Sequence, residues 1–111
     1  MKKQTIIIDF ESIKNEMDVM LNIDREFSFN EGENINWNAI SDDIRSLDTQ
    51  SPVVFQNNPE SLHLILKNVN KIEEILPEEY CILLKVLANA TDRKQRSDGI
   101  VFTFEISNEY E

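Results

Sequence analysis

The chain of 111 residues carries 21 Asp and Glu against 11 Lys and Arg, a formal charge of −10, and 41% of its residues are hydrophobic. This apolar content predicts one folded domain over residues 1–111, and the single cysteine excludes a disulfide within the chain. The pI near 4.5 argues against binding to nucleic-acid phosphates or phospholipid headgroups. The excess negative charge therefore indicates either a basic protein partner or solubility alone.

The first predicted strand spans Thr5–Phe10, where three consecutive isoleucines form a β-branched run typical of a strand covered on both faces. Two helices are predicted after it. Ser12 is a candidate N-cap for the first helix, and the second carries Trp37 on an apolar stripe that ends at Leu47. Because Trp37 shares this stripe with aliphatic residues, it is assigned mainly to the core.

The second half of the chain repeats this order of elements. A strand is predicted at Pro52–Gln56, and Asn58 and Pro59 are typical of the N-cap and first position of a helix. A further helix is predicted to begin at Pro77. The last strand is predicted at Ile100–Ile106, where apolar and polar residues alternate.

The order strand, two helices, strand, two helices, strand predicts an α/β fold. Connections of about forty residues between strands are crossovers and not hairpins, so the strands are expected to be parallel. We therefore expect a three-stranded parallel sheet flanked by about four helices (β-αα-β-αα-β), with the isoleucine strand in the middle.

Enzymatic chemistry is poorly supplied in this sequence. His63 is predicted on a helix and Cys81 as a small core residue, and neither has the partners of a catalytic pair. Two glycines leave little room for a glycine-rich phosphate loop. We expect no enzyme, no catalytic residues, no cofactor and no metal site. Asp9 and Glu11 interrupt the N-terminal apolar run, so a cytoplasmic protein without membrane contact is expected.

Most of the negative charge lies in the first half of the chain, because residues 9–48 contain 11 acids and 3 bases, a net of −8. An acidic loop is predicted before the second helix. Its residues are Glu31, Gly32, Glu33 and Asn34. On that helix, Asn38 and Asp42 are one turn apart and point away from the apolar stripe. The alternative for Asp42 is a solvated residue that pairs with Arg45.

The segments Gly32-Glu33-Asn34 and Asn36-Trp37-Asn38-Ala39-Ile40-Ser41-Asp42-Asp43-Ile44 resemble the signature loop and second helix of the barstar family of intracellular ribonuclease inhibitors. In that family, Gly-x-Asn precedes a large apolar residue, Asp-Ala-Leu, one variable residue and a second Asp. Trp37 takes the place of the large apolar residue, Asn38 of the first Asp and Asp42 of the second. The family's further acid, on the last helix, falls near Asn89. The order of elements is also similar to that of barstar-like proteins, in which a three-stranded parallel sheet with helices around it is used to plug a nuclease active site.

The resemblance implies an immunity protein that inhibits a cognate nuclease toxin, with ribonuclease as the first candidate. A ribonuclease binds phosphate through basic side chains, and carboxylates can occupy the same positions. The implied toxin-binding residues are Glu31, Glu33, Asn34, Asn38, Asp42 and Asp43. We expect a monomer that forms a one-to-one complex with a basic nuclease domain, within a toxin–antitoxin or contact-dependent growth inhibition system.

Two other functions remain open at this point. An acidic regulatory module for a basic non-nuclease partner would have the same composition. A small hydrolase that uses an Asp/Glu acid–base pair is the third possibility. An alternative binding surface is offered by further acids, namely Glu73, Glu74, Glu78 and Glu79.

Overall fold

The structure, a computed structural model, describes residues 2–107, except for the side chain of Glu33. The elements in chain order are β1 (Lys3–Asp9), α1 (Glu16–Phe27), α2 (Trp37–Ile44), α3 (Leu47–Gln50), α4 (Pro52–Asn57), β2 (Ser61–Lys67), α5 (Asn70–Ile75), α6 (Pro77–Ala90) and β3 (Val101–Ser107). Short 3₁₀ helices lie at Gly32–Asn34 and Arg93–Gln95. Within the described residues there are thus six α-helices, where about four were expected.

The three strands form one parallel sheet in the order β1-β2-β3, which confirms the predicted α/β fold class. The prediction that the isoleucine strand is central was wrong, because β2 lies in the middle and β1 at an edge. Ile6 and Ile8 are buried against the helices, but Ile7 is 45% exposed on the other face. A run of β-branched residues therefore does not require cover on both faces.

The predicted strand at Pro52–Gln56 is helix α4. The Ser51 hydroxyl accepts a hydrogen bond from the Val54 N–H at 3.3 Å, and Pro52 occupies the first turn. Asn58 ends this helix in the left-handed conformation, at φ 47° and ψ 55°. Asn58 is therefore the C-cap of α4 and not the N-cap of the next helix.

The segment predicted as a helix after Asn58 contains the central strand β2. Leu62, Leu64 and Leu66 alternate toward the helices and are buried. The same segment places apolar residues at helical spacing as well, because Ile65 lies three residues after Leu62, so its pattern fits both periods. His63 consequently lies on a strand. Its Nδ1 is 2.7 Å from Thr103 Oγ1, and its Nε2 is 2.7 Å from Glu105 Oε1.

The core lies between the sheet and the helices. Over residues 2–107 the other face of the sheet is open to solvent, where Ile7 and Val101 are exposed. Helix α1 begins after Asn15, whose side chain accepts from the Asp18 N–H at 3.0 Å, and not after Ser12.

Cys81 on α6 is exposed, so its assignment to the core was wrong. None of the helices over residues 2–107 is both long and apolar enough to cross a membrane.

Candidate functional site

The segment between α1 and α2 is tightly folded. Ser28, Asn30 and Gly32 all have positive φ angles, of 58°, 64° and 59°. Phe29 and Ile35 anchor the segment in the core, and the Phe29 ring stacks on Phe27 with a centroid distance of 5.1 Å. The residues between the two anchors are therefore held at the surface in a defined shape.

Asp24, near the end of α1, fixes this segment from below. Its backbone oxygen accepts from the Phe29 N–H and its Oδ1 accepts from the Glu31 N–H, both at 3.0 Å. Asp24 is only 8% exposed. Asp24 was not among the predicted binding residues, although its position four residues after Met20 and three before Phe27 places it on the buried stripe of α1.

The first turn of α2 is held from two sides. The Asn36 side chain caps the helix by accepting from the Ala39 N–H at 2.8 Å. Trp37 is half-buried against the core, and its indole Nε1 donates to Glu79 Oε1 on α6 at 3.0 Å. Trp37 thus packs on the core as predicted, and its polar end additionally ties α2 to α6.

Asn38 and Asp42 form an exposed ridge on α2. Both are exposed, as the helical spacing predicted, and Asn34 is exposed just before the helix. Arg45 Nη2 lies 2.5 Å from Asp42 Oδ1, so the predicted local ion pair is present. Because the Asp42 side chain is 74% exposed, such a pair contributes less than about 1 kcal/mol and leaves the carboxylate available to a partner.

Asp43 lies away from this ridge, buried to 6% exposure. The pKa of Asp43 is raised to about 7, first by burial and then by a side-chain hydrogen bond with Glu31 and the negative charges of Glu31, Asp24 and Asp42. Asp43 Oδ2 has no hydrogen-bond donor among the residues described. The structure therefore brings Asp43 together with Asp24 and the half-buried Glu31, behind the ridge.

Of the six predicted binding residues, only Glu33 has a side chain outside the described residues.

The other end of α2 is braced by a buried ion pair in the connection to β3. Arg96 Nε and Nη2 donate to the two carboxylate oxygens of Asp98 at 2.9 and 2.6 Å. Asp98 Oδ2 also accepts from the Leu47 N–H at 3.0 Å, and the Ser97 N–H donates to the Arg45 backbone oxygen at 3.1 Å. The orientation of α2 is therefore set at its beginning by α6 and at its end by residues 96–98.

The site is a surface formed by α2 and the segment before it. A depression of about 550 Å³ lies elsewhere, on the open face of the sheet beside His63 and Thr103. No group of three or more His, Cys, Asp or Glu over residues 2–107 could hold a metal ion. The geometry suits contact with a protein partner, which needs complementarity of shape and charge and not a pocket.

The family model described as "Barstar (barnase inhibitor)" matches residues 3–107. The chain belongs to the barstar family. The resemblance carried by Gly32 to Ile44 is thereby confirmed over the whole described fold. The barstar family is a family of nuclease inhibitors and not of enzymes. Neither a curated protein nor a solved structure matches the chain significantly.

Proposed function

We propose that this barstar-family protein is a cytoplasmic immunity protein that binds a cognate nuclease toxin one-to-one and covers its basic active site. The contact surface consists of the segment 30–36 and the exposed ridge of α2. A ribonuclease is the first candidate for the toxin, within a toxin–antitoxin or contact-dependent growth inhibition system.

The observation that carries the proposal is the exposed carboxylate of Asp42 on a helix held rigidly at both ends. Asp42 stands at the second acidic position of the barstar signature, one turn after Asn38. A carboxylate on a rigid element loses little conformational entropy when it binds a cation, and it can occupy the position of an RNA phosphate.

The distribution of charge supports the same surface. Residues 9–48, which include this surface, carry a net charge of −8 out of a total of −10. Opposite fields accelerate the encounter of two proteins, and this attraction weakens as salt is added. The cognate toxin is therefore expected to be basic around its active site.

The first test uses the nuclease encoded next to this gene. Co-expression of the two proteins should restore growth, and the purified protein should abolish RNA cleavage by that nuclease. Binding to a basic partner whose RNA cleavage continues unchanged would instead favour the regulatory module.

Matched charge reversals then locate the surface. Asp42→Lys and Glu74→Lys change the net charge equally, but Glu74 lies exposed on α5. We expect Asp42→Lys to weaken inhibition by at least about 100-fold, since a desolvated charge pair costs several kcal/mol to break. Glu74→Lys should change it by less than about threefold, through long-range attraction alone. The reverse order of effects would place the interface on the acids of α5 and α6.

A further inference from the structure

Three carboxyl groups lie behind the exposed ridge, and we call them the inner carboxyl cluster: Asp24, Glu31 and Asp43. They come from α1, from the segment between α1 and α2, and from α2. Asp24 and Asp43 are more than nine-tenths buried, and Glu31 is half-buried. Of these three residues, Glu31 is therefore the most exposed to solvent.

No cation of the described chain compensates this cluster. The charged groups that act on Asp43 are all carboxylates. Charged residues on the neighbouring elements bind elsewhere: Arg25 to Asn22, Arg45 to Asp42, Glu79 to Trp37, and Asp18 to the Lys14 N–H. The others on α1, α3 and α6 are exposed to solvent: Glu16, Glu26, Asp48, Glu78 and Lys85. Asp43 Oδ2 is buried and has no donor among the residues described. A buried carboxylate oxygen in this position requires a proton or a donor from outside the described chain.

We propose that Asp43 of the inner carboxyl cluster carries a proton in the free protein, hydrogen-bonded to Glu31, and that a cationic side chain of the nuclease displaces this proton when it contacts Glu31 and Asp42. The inference rests on the proposed function and names the chemistry of the partner at that site, a guanidinium or ammonium group. The displaced proton passes to the solvent, and the cation balances the negative charge that remains.

A proton on Asp43 would account for its buried carboxyl oxygen that has no donor among the residues described. The Asp43 and Glu31 side chains are hydrogen-bonded, and two carboxyl groups can form such a bond only when one of them carries a proton. Burial and the neighbouring carboxylates raise the pKa of Asp43 to about 7, so near neutral pH about half of the molecules carry the proton. A cation at Glu31 removes the repulsion that favours the protonated form.

Binding and proton release are therefore linked. Well below pH 7, each unit of increase in pH should strengthen nuclease binding by up to about tenfold, because one proton no longer has to be displaced. Above pH 7 the affinity should level off.

The protonation of Asp43 in the free protein can be measured by ¹³C NMR titration of its carboxyl group. We expect a midpoint near the pKa of about 7. Glu31→Gln should lower the midpoint by about one unit or more, whereas Glu26→Gln, an exposed acid on α1, should leave it unchanged. A midpoint below about 5 in the unmodified protein would overturn the proposal.

The ability of the inner carboxyl cluster to bind a cation can be tested with a small guanidinium salt. Ethylguanidinium chloride should lower the Asp43 midpoint more than sodium chloride at the same concentration, because the planar cation can bind between two carboxylates. Equal effects of the two salts would contradict a cation-accepting cluster.

The complex is tested by calorimetry with the adjacent nuclease at pH 6.5, in two buffers with different ionisation enthalpies. The unmodified protein should release more protons on binding than Asp43→Asn, whose neutral amide replaces the protonated acid at nearly the same size. Equal release by the two proteins would overturn the displacement step. If neither the unmodified protein nor Asp43→Asn bound the nuclease, the proposed function itself would be contradicted. The titration of the free protein tests the protonation of Asp43 independently of that outcome.

Discussion

Two aspartates with buried side chains, Asp98 and Asp43, have opposite surroundings. Asp98 accepts four hydrogen bonds, two from Arg96 and one each from the Leu47 and Ile100 N–H groups. Asp43 has three carboxylates around it and one oxygen without a donor in the described chain. Asp98 is thus compensated by its own chain, whereas Asp43 depends on a proton or on a cation from outside. The comparison separates a charge that holds the fold together from one that is suited to binding.

The largest effect is expected where the compensated pair is broken. Arg96→Ala leaves the buried carboxylate of Asp98 without its cation and should lower the free energy of unfolding by about 3–5 kcal/mol. Arg93→Ala, at an exposed position on the preceding 3₁₀ helix, should change it by less than about 0.5 kcal/mol. Urea denaturation measures both. A loss below about 1 kcal/mol for Arg96→Ala would show that the pair does not support the fold.

A pH-dependent effect is expected at Asp43. Because its pKa is raised in the folded state to about 7, the folded protein binds an extra proton between about pH 4 and 7. The stability that this proton contributes is therefore lost as pH rises toward 7, at up to about 1.4 kcal/mol per pH unit. Asp43→Asn lacks this dependence. The difference in unfolding free energy between the two proteins should thus vary from pH 5 to 7 and become constant above about pH 8. A difference that stays constant over the whole range would contradict the raised pKa.

A smaller effect is expected at the tie between α2 and α6. Trp37→Phe keeps most of the packed ring but removes the hydrogen bond from Nε1 to Glu79, so it should cost about 1 kcal/mol. Glu79→Gln keeps an acceptor oxygen and should cost less. Thermal unfolding of both variants provides the measurement, and a greater loss from Glu79→Gln would contradict the role of this bond.

The smallest effect on stability is expected at the exposed ridge. Asp42→Ala removes only a solvated ion pair with Arg45 and should change the free energy of unfolding by less than about 0.5 kcal/mol. The same variant should lose most of its inhibition of the nuclease. A loss of stability above about 1.5 kcal/mol would instead show that Asp42 is needed for the fold.

Patterns with a single interpretation were predicted well from the sequence. The long connections gave the parallel sheet, and the helical spacing of Asn38 and Asp42 gave their exposure. The signature around Gly32 gave the family. Each of these depends on local spacing or on chain length, which the sequence contains directly.

Sequence patterns that fit two kinds of local structure were assigned to the wrong one. The segment from Leu62 to Leu66 suits a strand and a helix equally, and Asn58 before Pro59 suits both a C-cap and an N-cap. Both errors have one cause, because the second strand was predicted at Pro52–Gln56 and lies at Ser61–Lys67. Helix α4 was therefore assigned as a strand, and strand β2 as part of a helix. Tertiary pairing decides between such alternatives, and the sequence of one chain does not contain it.

The inner carboxyl cluster was only partly visible beforehand. Glu31 and Asp43 were assigned to the binding surface by their positions in the signature, but Asp24 was not, since it lies on another helix. Its contact with Glu31 depends on the turns at Ser28 and Asn30, which have positive φ angles. Backbone turns of this kind, at residues other than glycine, leave a weak trace in sequence.

The position of the nuclease-binding surface can be measured by hydrogen–deuterium exchange of the complex with the adjacent nuclease. Binding should slow amide exchange over residues 30–45, which contain the segment 30–36 and the exposed ridge of α2, and should leave α5 and the open face of the sheet unchanged. Slowed exchange over α5 and the first turns of α6, with residues 30–45 unaffected, would contradict this prediction.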